Sequence, residues 1–417
     1  MPGSLRVLGT HGHSKDHRPD LKQLLFILTT SGDGGVPVQF RCEAGNTNDD
    51  RTHIDTWDAL CRVAGGPGFL YVADSKLCNR DALDHIDRRR GRFVCVMPRS
   101  RKEDQRFRRW IQTHEPTWEL VRDRPNPRRR GGPRDRWWTF RETVPSAEGW
   151  PIVWVKSALL ALRHEQSRRE RIALAEEELE ELKRKLASPR ARRTSRTAVA
   201  TRIDLLLRKH RVSRYLKVKL RSVQEEKFRQ ERPGRPGPNT RYVRKTRGHW
   251  VPEWKTDEAA IAWDRKSDGM YPLLTNDREL TNAQVLEAHK RQPTIEKRFS
   301  QVKSVLEIAP VLLKNEGRVE ALFFVYFLAI LVQALVEREL RRGMASAGFE
   351  HLPLYPEERA TKQPTAEQVL RLFALAQRQV LTVNGEPVHV FAPELTPLQS
   401  QVLELLGVPA TVYTHPA

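Results

Sequence analysis

Cysteine is scarce in this chain of 417 residues: there are four, at Cys42, Cys61, Cys78 and Cys95, with no C-x-x-C pair among them. Thiols this far apart exclude a disulfide framework and a thiolate zinc site, and read as reduced cysteines of a cytoplasmic protein. The opening residues, MPGSLRVLGTHGHSKDH, hold no apolar run, so no secretory signal is visible. Ala321 to Val336 is apolar except for Gln333 but falls short of the roughly 20 residues a bilayer requires. It reads as a buried core helix, with no membrane insertion expected. Acid is also in deficit: 52 Asp and Glu face 73 Lys and Arg, leaving +21. Such an excess favours a polyanionic partner, because each neutralised phosphate releases counterions. It does not separate DNA from RNA, or an enzyme from a scaffold.

What is present reads first as an α/β core. The length allows two or three domains. Leu24 to Thr29, a Ser-Gly-Asp-Gly-Gly turn and alternating Val36, Val38 and Phe40 predict a hairpin. Asn46 to Asp50 offers caps ahead of a helix over Thr52–Val63. The compact run GFLYVA, residues 68–73, suits a strand buried on both faces, with Asp74 emerging at its end. Taken alone, an acid there is a cap or turn former. A helix over Arg80–Arg89 and the strand Phe93–Val96 continue the alternation, and Met270–Thr275 returns another strand. In HGHSKDH, residues 11–17, three histidines and an aspartate crowd together, as a metal site or simply as a polar loop.

From Arg99 the composition changes. Arginine and lysine clusters alternate with Trp110, Trp118, Trp137, Trp138, Trp150 and Trp154, which suits either phosphate tracking with base stacking or solvated loops with structural tryptophans. Ile172, Ala175, Leu179, Leu182 and Leu186 recur at helical steps over two heptads, enough for an antiparallel helical hairpin. Leu216, Val218 and Leu220 alternate with Lys217, Lys219 and Arg221. That strand is either a DNA-facing edge or an edge protected by lysine. RPGRPGPN, residues 232–239, forms a loop.

The most informative stretch is NAQVLEAHKRQPTIEKRFSQVKSVL, residues 282–306. Ile295, Phe299, Val302 and Leu306 form one apolar helical stripe, and Pro293 kinks or restarts the helix ahead of it. Glu296 and Lys303, seven residues apart, fall on one helical face roughly 10 Å apart. They could hold a cation and a phosphate, or be the solvated flank of a core-packing helix. In the tail, a helix over Thr365–Ala376, a hairpin across Asn384-Gly385 and a helix from Thr396 are expected, while Arg341-Arg342-Gly343 ends the long apolar helix.

E-x6-K on a late helix resembles the signature Y-x2-R-x3-E-x6-K of bacterial insertion-sequence transposases of the DDE class. Glu296 matches the third metal-binding acid and Lys303 the lysine; His289 and Gln292 stand at the tyrosine and arginine positions. SDGMYPLLTND, APVLLKNEGRVEALFFVYFLAILVQALVERELRRGM, GHSKDHRPDLKQ and GNTNDD are similar to words of one branch, so the likeness runs from about Gly12 to Met344. V-A-D-S matches the buried strand that carries the second catalytic acid, here Asp74; Asp49 matches an acid frequent in the family, which helix capping explains.

The resemblance implies a ribonuclease-H-like mixed sheet with flanking helices, interrupted by a large basic α+β insertion. It also implies three acids holding two Mg2+ (or Mn2+) ions about 4 Å apart for phosphodiester hydrolysis and strand transfer. Asp74 and Glu296 are the expected metal ligands. Lys303, Arg298, Gln292, His289, Lys217 and Lys219 are the expected DNA contacts. The first acid, expected in a D-x-T word upstream of Gly12, is not found, so the chain reads as shortened at its front. Expected boundaries are residues 1–98 and 267–345 for the core, 99–266 for the insertion and 346–417 for a C-terminal extension. The expected partners are double-stranded DNA, at transposon ends and target, and a second copy in a homodimer, in the cytoplasm at the nucleoid. Three readings stay open: an active transposase, a catalytically dead DNA-binding remnant competing for transposon ends, and a basic RNA-binding scaffold.

Overall fold

The computed structural model describes residues 8–12, 20–126, 129–188 and 194–414. Most of HGHSKDH and part of the proline-arginine stretch at 125–133 lie outside the described residues. In chain order the elements are β1 (Thr10–His11), β2 (Lys22–Thr30), β3 (Pro37–Ala44), α1 (Thr52–Ala64), β4 (Leu70–Ala73), α2 (Arg80–Arg88), β5 (Arg92–Val96) and α3 (Lys102–Trp110). Then come β6 (Glu119–Arg124), β7 (Asp135–Arg141), β8 (Ile152–Ser157), α4 (Ala158–Ala187), α5 (Arg196–Lys209), β9 (Leu216–Gln230), β10 (Tyr242–Thr256), α6 (Glu258–Arg265) and β11 (Met270–Thr275). The last are α7 (Asn282–Lys290), α8 (Gln292–Ser300), α9 (Glu316–Ser346), α10 (Ala366–Leu372), β12 (Gln379–Val383), β13 (Glu386–Phe391), α11 (Pro397–Leu406) and the short α12 (Thr411–Thr414). Six strands make one mixed sheet in the order β4-β5-β11-β8-β7-β6. By internal contacts the chain divides into two compact units, Met1–Arg92 with Glu287–Ala417, and Phe93–Leu286.

In the first unit, β2 and β3 pair as the expected antiparallel hairpin. Leu24, Phe26, Leu28, Phe40 and Cys42 pack with Phe299, Val302 and Leu306 and with Val319, Phe323 and Ile330 of α9. Phe26 sits at the centre, 5.1 Å from the Phe323 ring and 6.2 Å, edge-on, from Phe299. The apolar stripe read from the sequence therefore seats the Glu296 helix on the hairpin.

Two expectations about α9 do not hold. It runs past Gly343 to Ser346, and the chain turns away at Gly348, whose φ is +75°. Gly343 serves packing instead: a Cβ there would lie 2.0 Å from the Leu405 carbonyl oxygen of α11. Burial is also one-sided. Val319, Phe323, Ile330 and Ala334 are buried, whereas Phe324, Val325, Leu328 and Val332 are exposed. Only 28% of its most apolar window is buried, and by length and composition alone the helix is long enough to cross a bilayer. Leu340 and Met344 at the end of α9 join Leu352, Leu354, Val369 and Val402 in a small C-terminal core. The hairpin β12-β13 turns at Asn384 and Gly385, both at positive φ.

The second unit holds strands that composition hid. Ile152 to Val155 of β8 are fully buried, and the signal was the run Ile-Val-Trp-Val between Pro151 and Lys156. Its tryptophans are largely structural: Trp154 is stacked 3.8 Å from Phe107 and donates to Glu142 at 2.9 Å, while Trp137 donates to Asp135 at 2.6 Å. Many arginines of this stretch are likewise spent on acids of the same unit. Arg101 pairs with Glu103 and Glu148, Arg106 with Glu142, Arg108 with Asp104, and buried Arg168 with Asp268. Arg101 pulls the Glu103 carboxyl down to about 2.

Helices α4 and α5 form the expected hairpin, closed by Ile172, Ala175, Leu179, Leu182 and Leu186 against Val199, Ile203 and Leu207. Leu216, Val218, Leu220, Trp250 and Trp254 of β9 and β10 pack on the same core. Among the described residues these two strands pair only with each other, over fifteen residues each.

Candidate functional site

Asp74 is the first residue past β4. Its Oδ1 accepts from the Lys76 amide at 2.8 Å, and its carbonyl accepts from Leu77 at 3.3 Å, making a tight turn into α2. Asn79 then caps that helix by accepting from the Asp81 amide. The turn uses one carboxylate oxygen and leaves Asp74 exposed. Within β4 only Tyr71 is buried and Val72 is 36% exposed, so the strand is not covered on both faces as expected. The Tyr71 hydroxyl lies 3.0 Å from His53 Nδ1; burial, with the Asp74 charge nearby, pushes that phenol up.

The helix restarts where Pro293 requires: α7 ends at Lys290, and α8 begins at Gln292 with the proline in its first turn. Glu296 and Lys303 are both exposed, and neither has an ion-pair partner among the described residues. The geometry between them is not two plain α turns. Gln301–Val305 is a π turn, closed by the Leu306 amide donating to the Gln301 carbonyl at 2.9 Å. The wider turn rotates Lys303 relative to an ideal α-helical position, and such turns recur at functional sites.

The other expected DNA contacts separate clearly. Gln292 is exposed on the first turn of α8. His289 is half-buried, and burial, aided by the charge of Lys290, brings it down to about 4, so it is neutral at physiological pH. Lys217 and Lys219 are exposed on β9, Lys217 lying 3.7 Å from Asp257.

Arg298 is the exception. It is 1% exposed and donates to the carbonyls of Gly35 at 3.0 Å and Gly34 at 3.1 Å and to Gln301 at 2.8 Å. It also pairs with Glu337 at 3.1 Å. A guanidinium so occupied is a structural anchor, and the expected phosphate contact does not fit it.

The sequence reading missed Glu337, the centre of this network. Its side chain is fully buried and accepts from Lys297 at 3.0 and 3.1 Å and from the Ala366 amide at 3.2 Å, with Arg341 at 3.5 Å. Burial pushes the carboxyl up, but the Lys297 hydrogen bond and the charges of Lys297 and Arg298 prevail, and it titrates below the usual range. Gln333, the one polar residue of the apolar stretch, accepts from Gln301 at 3.1 Å. That interruption was the only legible signal of a polar seam under α8.

The chain is a strongly basic α/β protein, a charge balance that favours a polyanionic partner, with acids exposed at a strand end and on a late helix. A family model described as Transposase DDE domain matches residues 5–332, and the chain belongs to that family. Its mixed sheet with flanking helices is the ribonuclease-H-like arrangement expected of such a domain, and membership assigns the chain to DNA transposition, with DNA as substrate. No curated protein sequence matches the chain.

Proposed function

We propose that Asp74 and Glu296 carry metal-assisted phosphodiester cleavage and strand transfer at transposon ends, with Lys303, Gln292, Lys217 and Lys219 on the DNA. The observation that supports this most is that Glu296 on α8 and Lys303 on the π turn that follows it are exposed and without an ion-pair partner among the described residues, while buried charge at Arg298 anchors α8. The donors fit Mg2+ in kind: carboxylate oxygens are hard ligands, and this ion commonly takes one or two of them alongside substrate phosphates. Asp74, with one oxygen engaged in its turn, and Glu296 would hold it. When bound, it would activate a water or 3′-hydroxyl and neutralise the leaving oxygen. The chain's own part is positioning: Lys303 sets a positive charge against a phosphate, and the Arg298 anchor fixes the helix.

A second reading is favoured by a specific observation. No group of three or more His, Cys, Asp or Glu side chains converges as a metal site among the described residues. A chain with that arrangement could bind transposon DNA and compete for ends without cutting. The test is nicking of a supercoiled plasmid carrying the element's ends, with Mg2+ or Mn2+. Cleavage that falls to background in Asp74→Asn and in Glu296→Gln supports the first reading. Binding without metal-dependent cleavage by the unaltered protein supports the second.

A further inference from the structure

The β9-β10 ribbon outruns its own core. Its base is held by Leu216, Val218, Leu220, Trp250 and Trp254 against α4 and α5. From Gln224 to Gln230, and from Tyr242 to Gly248 opposite, every position is exposed except Glu225, Gln230 and Arg247, which are intermediate, Arg247 donating to the Ser188 carbonyl at the end of α4. That is about 20 Å of ribbon at the usual rise per residue. A two-stranded hairpin without a packed face is marginal in water, and each ordered residue costs about 1–2 kcal/mol of backbone entropy. Such a segment must gain its order from something else.

Its chemistry says what. Lys227, Arg229 and Lys245, together with Arg232, Arg235 and Arg241 around the tip, are all exposed and have no ion-pair partner among the described residues. At the base, by contrast, Arg221 pairs with Glu253 and Lys217 approaches Asp257. Lys227 stands directly opposite Lys245 in the register, an unfavourable like-charge pair unless an anion lies against it. Arg229, two residues along, shares that face. The other face carries exposed Phe228 and Tyr242, at 67% and 53%, with Arg244 held by Glu226. Protecting an edge from aggregation needs a lysine or two, not an arm with an arginine-rich tip. At the tip the Thr240 amide donates to the Gly237 carbonyl at 3.0 Å, and the Gly237 amide to the Thr240 hydroxyl at 2.7 Å, so the loop is internally ordered.

We propose that the distal half of this ribbon and its tip form an arm that lies in the major groove of duplex DNA, with Lys227, Arg229 and Lys245 against phosphates. Two strands about 4.8 Å apart, with their side chains, match a groove about 12 Å wide that admits a β-ribbon. The proposal rests on DNA being the partner but not on Asp74 and Glu296 cutting it.

The test is a salt titration of full-chain binding to a labelled 30-base-pair duplex, read by fluorescence anisotropy. The proteins are wild type, Lys227→Gln/Arg229→Gln/Lys245→Gln, Arg232→Gln/Arg235→Gln/Arg241→Gln, and a charge-matched control, Arg169→Gln/Arg184→Gln/Lys185→Gln, on α4. Each arm triple is expected to lower the slope of log affinity against log salt by about 2–3 and to weaken binding about tenfold or more near physiological salt, while the control changes neither. Duplex DNA is also expected to protect the arm's lysines and arginines from trypsin in the wild type. Arm triples that match the wild type in slope and affinity overturn the proposal. So does unprotected cleavage in the arm, or a loss seen with structured RNA and not with duplex DNA. Failure of metal-dependent nicking by the wild type would refute only the cleavage reading.

Discussion

Replacing Glu337 by alanine should be among the most damaging single changes in the first unit, although the residue lies outside any expected active site. Its carboxylate is fully buried and meets Lys297, Arg298, Arg341 and the Ala366 amide. Removing it strands the Arg298 charge, which is 1% exposed and among the described residues keeps the Gly34, Gly35 and Gln301 oxygens. Breaking a buried pair from one side costs about 3–5 kcal/mol, against a domain stability of roughly 5–15 kcal/mol. Lys297, at 39% side-chain exposure, should cost about 1 kcal/mol or less when changed to methionine, because water already screens it. Urea denaturation of Glu337→Ala, Arg298→Met and the double variant closes a cycle. The double variant should be less destabilised than the two singles summed, by about 1–3 kcal/mol, since the second change removes the orphaned charge. Because α8 carries Glu296, Glu337→Ala should also lower nicking at temperatures where the protein remains folded. A loss under about 1 kcal/mol for Glu337→Ala, or strict additivity in the cycle, would refute this account of the network.

Other consequences follow from single contacts. Gly343→Ala drives a methyl into the Leu405 carbonyl region and should cost about 1–3 kcal/mol in thermal or urea unfolding, with little effect if α9 and α11 are not packed there. Asp268→Ala should destabilise the second unit by about 3–5 kcal/mol by orphaning buried Arg168, whereas exposed Arg169→Ala should cost under about 1 kcal/mol; equal losses would contradict the burial argument. His289 has a folded value of about 4, below its ordinary 6.5, so the fold prefers the neutral ring. Its contribution is present above about pH 6.5 and is lost as pH falls toward 4, and His289→Asn should flatten stability across that window. Glu103 is held down at about 2 by Arg101, so its contribution is present above its ordinary 4.5 and is lost as pH falls toward 2. Arg101→Gln should remove that lower limb, as followed by circular dichroism.

How much was legible in advance depended on how local the cause was. The hairpin, α2, β5, β11 and the restart of the helix at Pro293 follow from alternation, apolar runs and a missing amide hydrogen, all properties of adjacent residues. Helix α1 forms over the expected residues but with Arg51 at its N-cap and no side-chain cap, so the expected capping from Asn46–Asp50 does not hold. The transposase words around Asp74 and Glu296 carried the family in the same way, because a motif is a linear object. Strand β8 was missed because the arginine and tryptophan content around it masked a short apolar run. Arg108 finds its buried acid, Asp104, within one helical turn, but Arg106 and Arg168 find theirs, Glu142 and Asp268, far along the chain.

The sequence by itself determined the net charge of +21, the alternating faces of β9, the helical stripe from Ile295 to Leu306 and membership in the transposase family. Only the tertiary structure decided that Arg298 is an internal anchor, that Gly343 exists for Leu405, and that α9 is covered on one side. The reason is one of range. Periodicity and capping act over a turn or a strand, whereas the groups that hold Arg298 and crowd Gly343 come from tens to hundreds of residues away, Glu337 and Gly34 for the first and Leu405 for the second.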